Sequence, residues 1–586
     1  MNSKKYKDTI YETRDINNIK ELFVGSCDLY AHKTAYLVKE KPGGKYMPIK
    51  YSRVKEDVEC LGTGFYKLGL RGEKIAVLGE NSYEWVMTYI ATVIGSSVIV
   101  PIDKELPANE VANLLTRAKV SAVVYSKKIE KLLHAALEQM EEETANGIKY
   151  RICMKSDHGA AETDLDTVME IGRTALISGD RSFLDNEVDS DAMCTLMFTS
   201  GTTGMAKGVM LSQRNIAANV QNMSKYVKID DDGIGLSVLP MNHSYEMTCH
   251  IFTGFYQGMA IAICEGLKYI QKNLVESKAT VMLGVPLIFE NIYKKIMKQA
   301  SSKGKAKKMR KMMERSKKYR LYNDQNFIRK IFKSVHEPLG NSIRLLIVGG
   351  AAMNPKIIED FQALGFPMIQ GYGMSENAPI IAVNRDKCSK PASVGPAMPG
   401  TEIRIDNPSE DGIGEIVVKG PSVMLGYYEN PEATAEAIRD GWLYTGDYGY
   451  FDDEGYLYIS GRKKNVIVTK NGKNIFPEEI EYILSEADFI AEVLVYGEID
   501  EKTGDTFVKA EIYPDYGQIK EEFGKLTDEE VEKLIKHVVS EVCDVLPTYK
   551  RVTRVAVRDV EFEKTTTRKV KRNQKKLEKN AKNQDK

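Results

Sequence analysis

Short β-branched runs alternate with helical segments along most of this chain, and that alternation limits its fold more than any other feature. "KIAVLG", "SAVVYS", "CTLMFTS", "GLSVLP", "MAIAIC", "ATVMLGVP" and "RLLIVGG" read as buried strands. Stretches such as residues 83–91 and 215–226 read as the helices between them. Strands interleaved with helices give α/β architecture, with largely parallel sheets and helices on their faces. The chain has 586 residues, too many for one hydrophobic core, so at least two domains are expected. From residue 401 the pattern changes to the short strands "TEIRID", "GEIVVKG" and "GYLYISG", as in a small antiparallel β subdomain. "SGRKKNVIVTKNGKNIFPEEIEYIL" then opens a compact α+β segment through a strand, an Asn471-Gly472 turn and a Pro-Glu-Glu helix start. The expected organisation is a large N-terminal domain of α/β subdomains plus the small β subdomain over residues 1–461. A hinge follows at 462–466, and a smaller α+β C-terminal domain over 467–586.

Charge and cysteine usage narrow the class of function. Lys+Arg and Asp+Glu both total 82, so the chain as a whole gives no sign of a nucleic-acid partner. The eight cysteines are scattered without a CxxC pair, which fits buried thiols in a reducing compartment rather than a disulfide or zinc framework. The N-terminus is polar and lacks the apolar core of a signal peptide. The longest apolar tract, "WVMTYIATVIGSSVIVPID", is broken by Gly95, Ser96 and Ser97, so a helix followed by a buried strand is expected rather than a membrane span. A cytoplasmic protein follows, with peripheral membrane contact left open. Two basic runs, "KGKAKKMRKMMERSKKYR" and the tail "KVKRNQKKLEKNAKNQDK", read first as a solvated face and a frayed end. The other reading of both is a surface for anionic headgroups or for a phosphorylated partner.

The most unusual stretch is "MFTSGTTGMAKGVML". Apolar residues stop at Thr199, and Ser200, Gly201, Thr202, Thr203 and Gly204 follow before Lys207. Glycines let the backbone approach a phosphate and turn its N–H groups inward, while hydroxyls and one lysine add donors and charge. A Walker loop would require GxxxxGK[ST]. Here the spacing differs, and Gly208 stands where the magnesium-binding hydroxyl belongs.

"TSGTTGMAKGVMLSQRN" closely resembles the signature of acyl-adenylate-forming enzymes, the superfamily of acyl-CoA synthetases, firefly luciferase and adenylation domains. The other motifs of that superfamily have counterparts in order. "VGGAAMNP" resembles the adenine-side loop, which implies nucleotide contacts for Gly350 and Ala351. "GYGMSENAP" resembles the aromatic-Gly-x-Thr-Glu motif and implies roles for Gly371, Tyr372, Gly373 and Ser375 around the nucleotide, with Tyr372 against adenine. It puts Glu376, with Thr203, on a magnesium ion, and a carboxylate oxygen suits that hard cation. In "GWLYTGDYGYFDDEGYLYISGRKKN", Asp447 corresponds to the carboxylate on the ribose hydroxyls, Arg462 to a nucleotide-contacting arginine and Lys464 to the hinge residue. "LPMNHSYEMT" resembles the segment bordering the acyl pocket and is most like long-chain fatty acid members. It implies an active-site role for His243, with Val285 and Pro286 of "VMLGVPLIFENI" lining the acyl tunnel. "FEKTTTRKVKR" matches the C-terminal Pro-Lys-Thr-x-x-Gly-Lys motif only in part, since Glu563 replaces proline and Arg568 replaces glycine. Alignment on Lys-Thr makes Lys569 the catalytic lysine, with Lys564 and Lys571 close by.

The resemblance implies an ATP-dependent, Mg2+-dependent ligase that makes an acyl-adenylate and then a thioester on CoA, releasing pyrophosphate and AMP. Rotation of the small domain about Lys464 would bring Asn471 and Gly472 to the CoA side. Two other readings stay open at this point. One keeps the adenylation and transfers the acyl group to an acyl carrier protein. The other is a nucleotide-binding regulator without catalysis, although Lys207, Glu376, Asp447 and Lys569 are all present.

Overall fold

In the computed structural model, the residues described are 10–155, 163–199, 206–302, 304–468, 474–499, 506–564, 570 and 572. The chain packs into two compact units, Met1–Ile403 with Val418–Tyr444, and Arg404–Val417 with Thr445–Lys586.

The first unit contains the two α/β sheets the alternation predicts. One is seven-stranded, in the order Gly426–Tyr427, Lys207–Ser212, Met193–Thr199, Val98–Ile102, Lys74–Leu78, Ala122–Tyr125, Tyr150–Cys153. Its last five strands pair in parallel, and its first three are antiparallel. The other is eight-stranded, in the order Ile380–Val383, Met368–Gly373, Leu345–Val348, Val281–Gly284, Ile234–Ser237, Ala260–Ile263, Thr34–Val38, Met47–Lys50. Its interior is parallel, and both edges are antiparallel. Strands such as Leu345–Val348 and Ala122–Tyr125 are buried at every residue. Helices cover both faces of such strands, which is why they read as unbroken apolar runs rather than alternating ones.

The long apolar tract resolves as expected. Helix Tyr83–Ile94 starts where the Ser82 hydroxyl accepts from the Trp85 amide, and strand Val98–Ile102 follows the Gly95-Ser96-Ser97 break. Among the described residues no helix is long and apolar enough to cross a membrane. None of the eight cysteines is in a disulfide, and all but Cys388 are buried.

Helix Gln213–Tyr226 ties down two loops of the first unit. Ser212 and Asn215 form a reciprocal capping box at its start. Asn215 and Asn219 then lie buried along its inner face and donate to loop carbonyls, Asn215 to those of Pro421 and Val423, Asn219 to those of Asn377 and Ile380. A buried amide without partners costs about 1–3 kcal/mol, so these asparagines fix both loops as well as fill space.

In the second unit, Ile490–Ile499 and Thr506–Pro514 are antiparallel, and Arg554–Val557 joins the latter in parallel. Helices Pro477–Ser485 and Asp528–Cys543 supply Ile480, Leu484, Ile535 and Val539 to its core. The antiparallel strands expected after residue 401 are present as Glu402–Asp406, Gly414–Lys419, Trp442–Phe451 and Leu457–Arg462, in one sheet. Asn471 and Gly472 lie outside the described residues, but Ile467 pairs with Ile475 and Val468 with Asn474 on either side of them. The two units are defined by packing. The boundary expected at 462–466 concerns which part moves, and it belongs to the functional proposal.

Candidate active site

Strands Met193–Thr199 and Lys207–Ser212 form a hairpin in which Thr199 pairs with Lys207. Ser200, Gly201, Thr202, Thr203 and Gly204 stand between these strands in the sequence and lie outside the described residues. The pairing separates the loop from a Walker site by topology as well as spacing. A Walker lysine opens a helix whose N-terminus holds phosphate, whereas Lys207 opens a strand.

Lys207 is half-buried, with its ammonium 4.8 Å from the centre of the Tyr427 ring. The Tyr427 hydroxyl donates to Glu376 Oε1 at 2.9 Å, and the Met424 amide donates to the Glu376 carbonyl at 2.9 Å. One tyrosine thus joins the lysine of the glycine-rich hairpin to the carboxylate of "GYGMSENAP". Burial, and then the Glu376 charge, push the Tyr427 phenol far above its ordinary range, so it stays a neutral donor. Tyr427 was absent from the sequence-level site. The only local signal was an aromatic pair between Gly426 and Asn430-Pro431.

Three other predicted segments meet in the same unit. The Ser244 hydroxyl lies 3.4 Å from that of Ser375, and the Tyr245 hydroxyl donates to the Ile347 carbonyl at 3.2 Å. A Cβ on Gly349 would stand 2.9 Å from the Tyr245 ring. The segment beginning at His243 is therefore packed against both the Gly349-Gly350-Ala351 loop and the Ser375-Glu376 turn. Asn81 holds the approach to it, donating to the Leu239 carbonyl and accepting from the Met241 amide. Gly350 has φ of 80°, where glycine is favoured, and a Cβ there would lie 3.4 Å from Val285. Val285 and Pro286 are buried and lead into helix Pro286–Ser302. Gly373 allows the strand carrying Gly371 and Tyr372 to pass close to its neighbour, since a Cβ there would be 2.1 Å from the Pro379 carbonyl oxygen.

The second unit holds the remaining predicted residues. Asp447 is buried on strand Trp442–Phe451, directly opposite Arg462 on Leu457–Arg462, and its Oδ1 lies 2.7 Å from Arg462 Nε. The Thr445 hydroxyl accepts from the Asp447 amide and donates to the Ile416 carbonyl, which fixes the strand at that point. A buried carboxylate here faces an exposed guanidinium at charge-assisted hydrogen-bond distance.

Lys464 sits in the turn Lys463–Asn465, whose flanks are tied down. Lys463 pairs with Glu415 at 2.6 Å, and Asn465 donates to Glu478 at 2.6 Å. Burial, then Arg462 and Arg572, hold the Lys464 ammonium down to about 8. An unfolded lysine titrates near ~10.4, so between these values the unfolded chain binds more protons at this group. Stability contributed here is lowest below pH 8 and rises with pH through that window. Lys464→Met should remove the rise, measured as urea midpoints against pH. Parallel wild-type and variant curves would contradict the assignment.

Lys569 and Lys571 lie outside the described residues. Around them, Lys564 pairs with Glu492 and Glu561, and bridges to Val570. Arg572 is fixed to Glu481 and to the Val495 carbonyl.

The chain belongs to the AMP-binding enzyme family, which matches residues 25–428. It is 28% identical to fatty acyl-CoA synthetase B of Dictyostelium discoideum over 568 residues, covering 90% of this chain and 81% of that protein. It is 30% identical to long-chain-fatty-acid–CoA ligase 1 of Homo sapiens over 504 residues, covering 79% and 69%. Its fold is similar to the crystal structure of the anthranilate CoA ligase AuaEII in complex with anthranoyl-AMP, with TM-score 0.75 at 18% identity over 99% of this chain and 98% of that one. It is an acid–thiol ligase of the AMP-forming type, a class that uses ATP, Mg2+ and CoA.

Proposed function

We propose that this enzyme activates a long-chain fatty acid. The acid's carboxylate attacks the α-phosphate of ATP, the bond to the β-phosphate breaks, and pyrophosphate leaves with its electron pair. The thiol of CoA then attacks the acyl carbon of the adenylate, AMP departs, and the thioester remains. The observation that supports the reading is the joining of Lys207 and Glu376 through Tyr427, since these are the cation and the carboxylate assigned here to phosphate and to metal. Relatives named as long-chain ligases over most of the chain support the substrate class.

Each residue then has a defined task. Thr199, Ser200, Gly201, Thr202, Gly204 and Lys207 hold the β- and γ-phosphates. Mg2+ binds through one or two carboxylates and substrate phosphates, so Glu376 suits it, with Thr203 beside it, and the ion would neutralise phosphate charge there. Gly350, Ala351, Gly371, Tyr372, Gly373 and Ser375 form the adenine side, and Asp447 with Arg462 takes the ribose. His243, Val285 and Pro286 border the acyl chain. Lys569 neutralises charge on the reacting carboxylate and α-phosphate. The part of the chain after the 462–466 hinge turns about Lys464, withdrawing Lys569 and presenting Asn471 and Gly472 to CoA. Peripheral contact of a cytoplasmic enzyme with a membrane suits a substrate that dissolves in bilayers.

AMP release should be measured across fatty acids of increasing length, with CoA and acyl carrier protein compared as acceptors. The expected result is a maximum at long chains with CoA. A maximum at short or aromatic acids would refute the substrate class, and turnover with carrier protein alone would refute the acceptor.

A further inference from the structure

One buried ionisable pair takes no part in the proposed reaction. Glu246 and His250 stand a helical turn apart in "HSYEMTCHIF", directly after His243. Both side chains are fully buried, and His250 Nδ1 lies 2.9 Å from Glu246 Oε1. Their other polar atoms, Glu246 Oε2 and His250 Nε2, have no hydrogen-bond partner among the described residues. A carboxylate and an imidazole are costly in an apolar core, more so with part of their hydrogen-bonding capacity unused. Well-packed apolar residues of similar volume avoid that cost. The pair therefore calls for a reason beyond filling space.

The helix that carries it supplies the reason. Ser244–Glu246 is one α-helical turn, and Met247–Phe252 continues as a π-helix, a widened form that is rare and frequent at functional sites. The Thr253 hydroxyl donates to the Thr248 carbonyl at 2.9 Å, closing the widened stretch from its far end. The contact from Glu246 to His250 spans the junction of the two forms. Beyond it, the imidazole lies over Gly235 in the interior strand Ile234–Ser237, where a Cβ would be 2.2 Å from Nε2. Glycine at that position leaves the ring its room. On the near side, the His243 carbonyl accepts from the Met247 amide at 3.0 Å, so the first turn is tied to the start of the π-helix.

We propose that Glu246 and His250 are positioning residues for the acid substrate, whose hydrogen bond sets the turn that carries His243. Hydrogen bonds are directional and apolar burial is not, so the pair specifies one geometry where apolar residues would permit several. The inference rests on the assignment of His243 to the acyl chain. Its effect should reach the acid more than ATP, because the nucleotide-side loops have anchors of their own. The Met424 amide holds the Glu376 carbonyl, and Asn219 holds those of Asn377 and Ile380.

The test is steady-state pyrophosphate release with the fatty acid that wild type turns over fastest, alongside melting temperatures. Glu246→Leu and His250→Leu each strand a buried polar partner and should melt lower than wild type. The double variant carries neither polar group and should melt close to wild type. Its kcat/KM for the acid should still fall on the order of tenfold or more, since small misplacements of substrate-positioning groups are costly. Its KM for ATP should stay near the wild-type value. Glu246→Gln keeps an oxygen facing His250 and should retain most of the kcat/KM for the acid. A merely structural pair would give activity that follows melting temperature, with both restored in the double variant. Wild-type kcat/KM for the acid in the double variant, an equal rise in KM for acid and for ATP, or a loss of tenfold or more in Glu246→Gln would overturn the proposal. If wild type releases pyrophosphate with no fatty acid, the fatty acid reading itself fails. If it does so with one and the double variant matches it, only the positioning role fails.

Discussion

Lys569→Ala should abolish formation of acyl-adenylate from acid and ATP, while thioester formation from preformed acyl-adenylate and CoA proceeds near the unaltered rate. Charge builds on the carboxylate and α-phosphate oxygens only in the first half-reaction, so only that step requires the cation. Removing one preorganised charge-stabilising donor typically costs ~10²–10³ in kcat. The two rates are measured separately by pyrophosphate release and by AMP release from added adenylate. Lys564 is a useful control. It sits in ion pairs with Glu492 and Glu561, so Lys564→Ala should leave adenylation far less affected. Equal loss in both half-reactions for Lys569→Ala would remove the role assigned to it.

Lys464→Pro should produce the reverse pattern. Proline fixes φ and removes the amide hydrogen, and the flanking Lys463–Glu415 and Asn465–Glu478 contacts leave Lys464 as the residue between two anchored neighbours. If the turn must change its dihedrals between half-reactions, adenylate should accumulate and the thiol step should fail. Lys464→Ala separates this from loss of the side chain and should keep most thioester formation. Intact thioesterification in the proline variant would contradict the hinge.

Much of the architecture was legible because parallel strands covered on both faces need continuous apolar runs, as in "RLLIVGG". The hairpin at Lys207 was half legible. Spacing excluded a Walker loop, but only the pairing of Thr199 with Lys207 shows that a strand follows the loop. Tyr427 was not legible, because it acts through contacts with Lys207 and Glu376 made across the tertiary fold. Asp447 and Arg462 were each singled out by resemblance to a motif, while their direct pairing depends on the register of two strands. The depressed Lys464 follows from burial and from Arg572, far along the chain, which no local pattern reports. The second unit was visible as a change of rhythm, while its packing with residues 404–417 was not.

The central claim is that the carboxylate itself attacks the α-phosphate. It is tested most directly with a fatty acid carrying 18O in its carboxyl group, incubated with enzyme, ATP, Mg2+ and CoA. The account predicts AMP bearing one 18O atom from the acid, together with unlabelled pyrophosphate. Label in inorganic phosphate alongside ADP, or AMP without label, would contradict it.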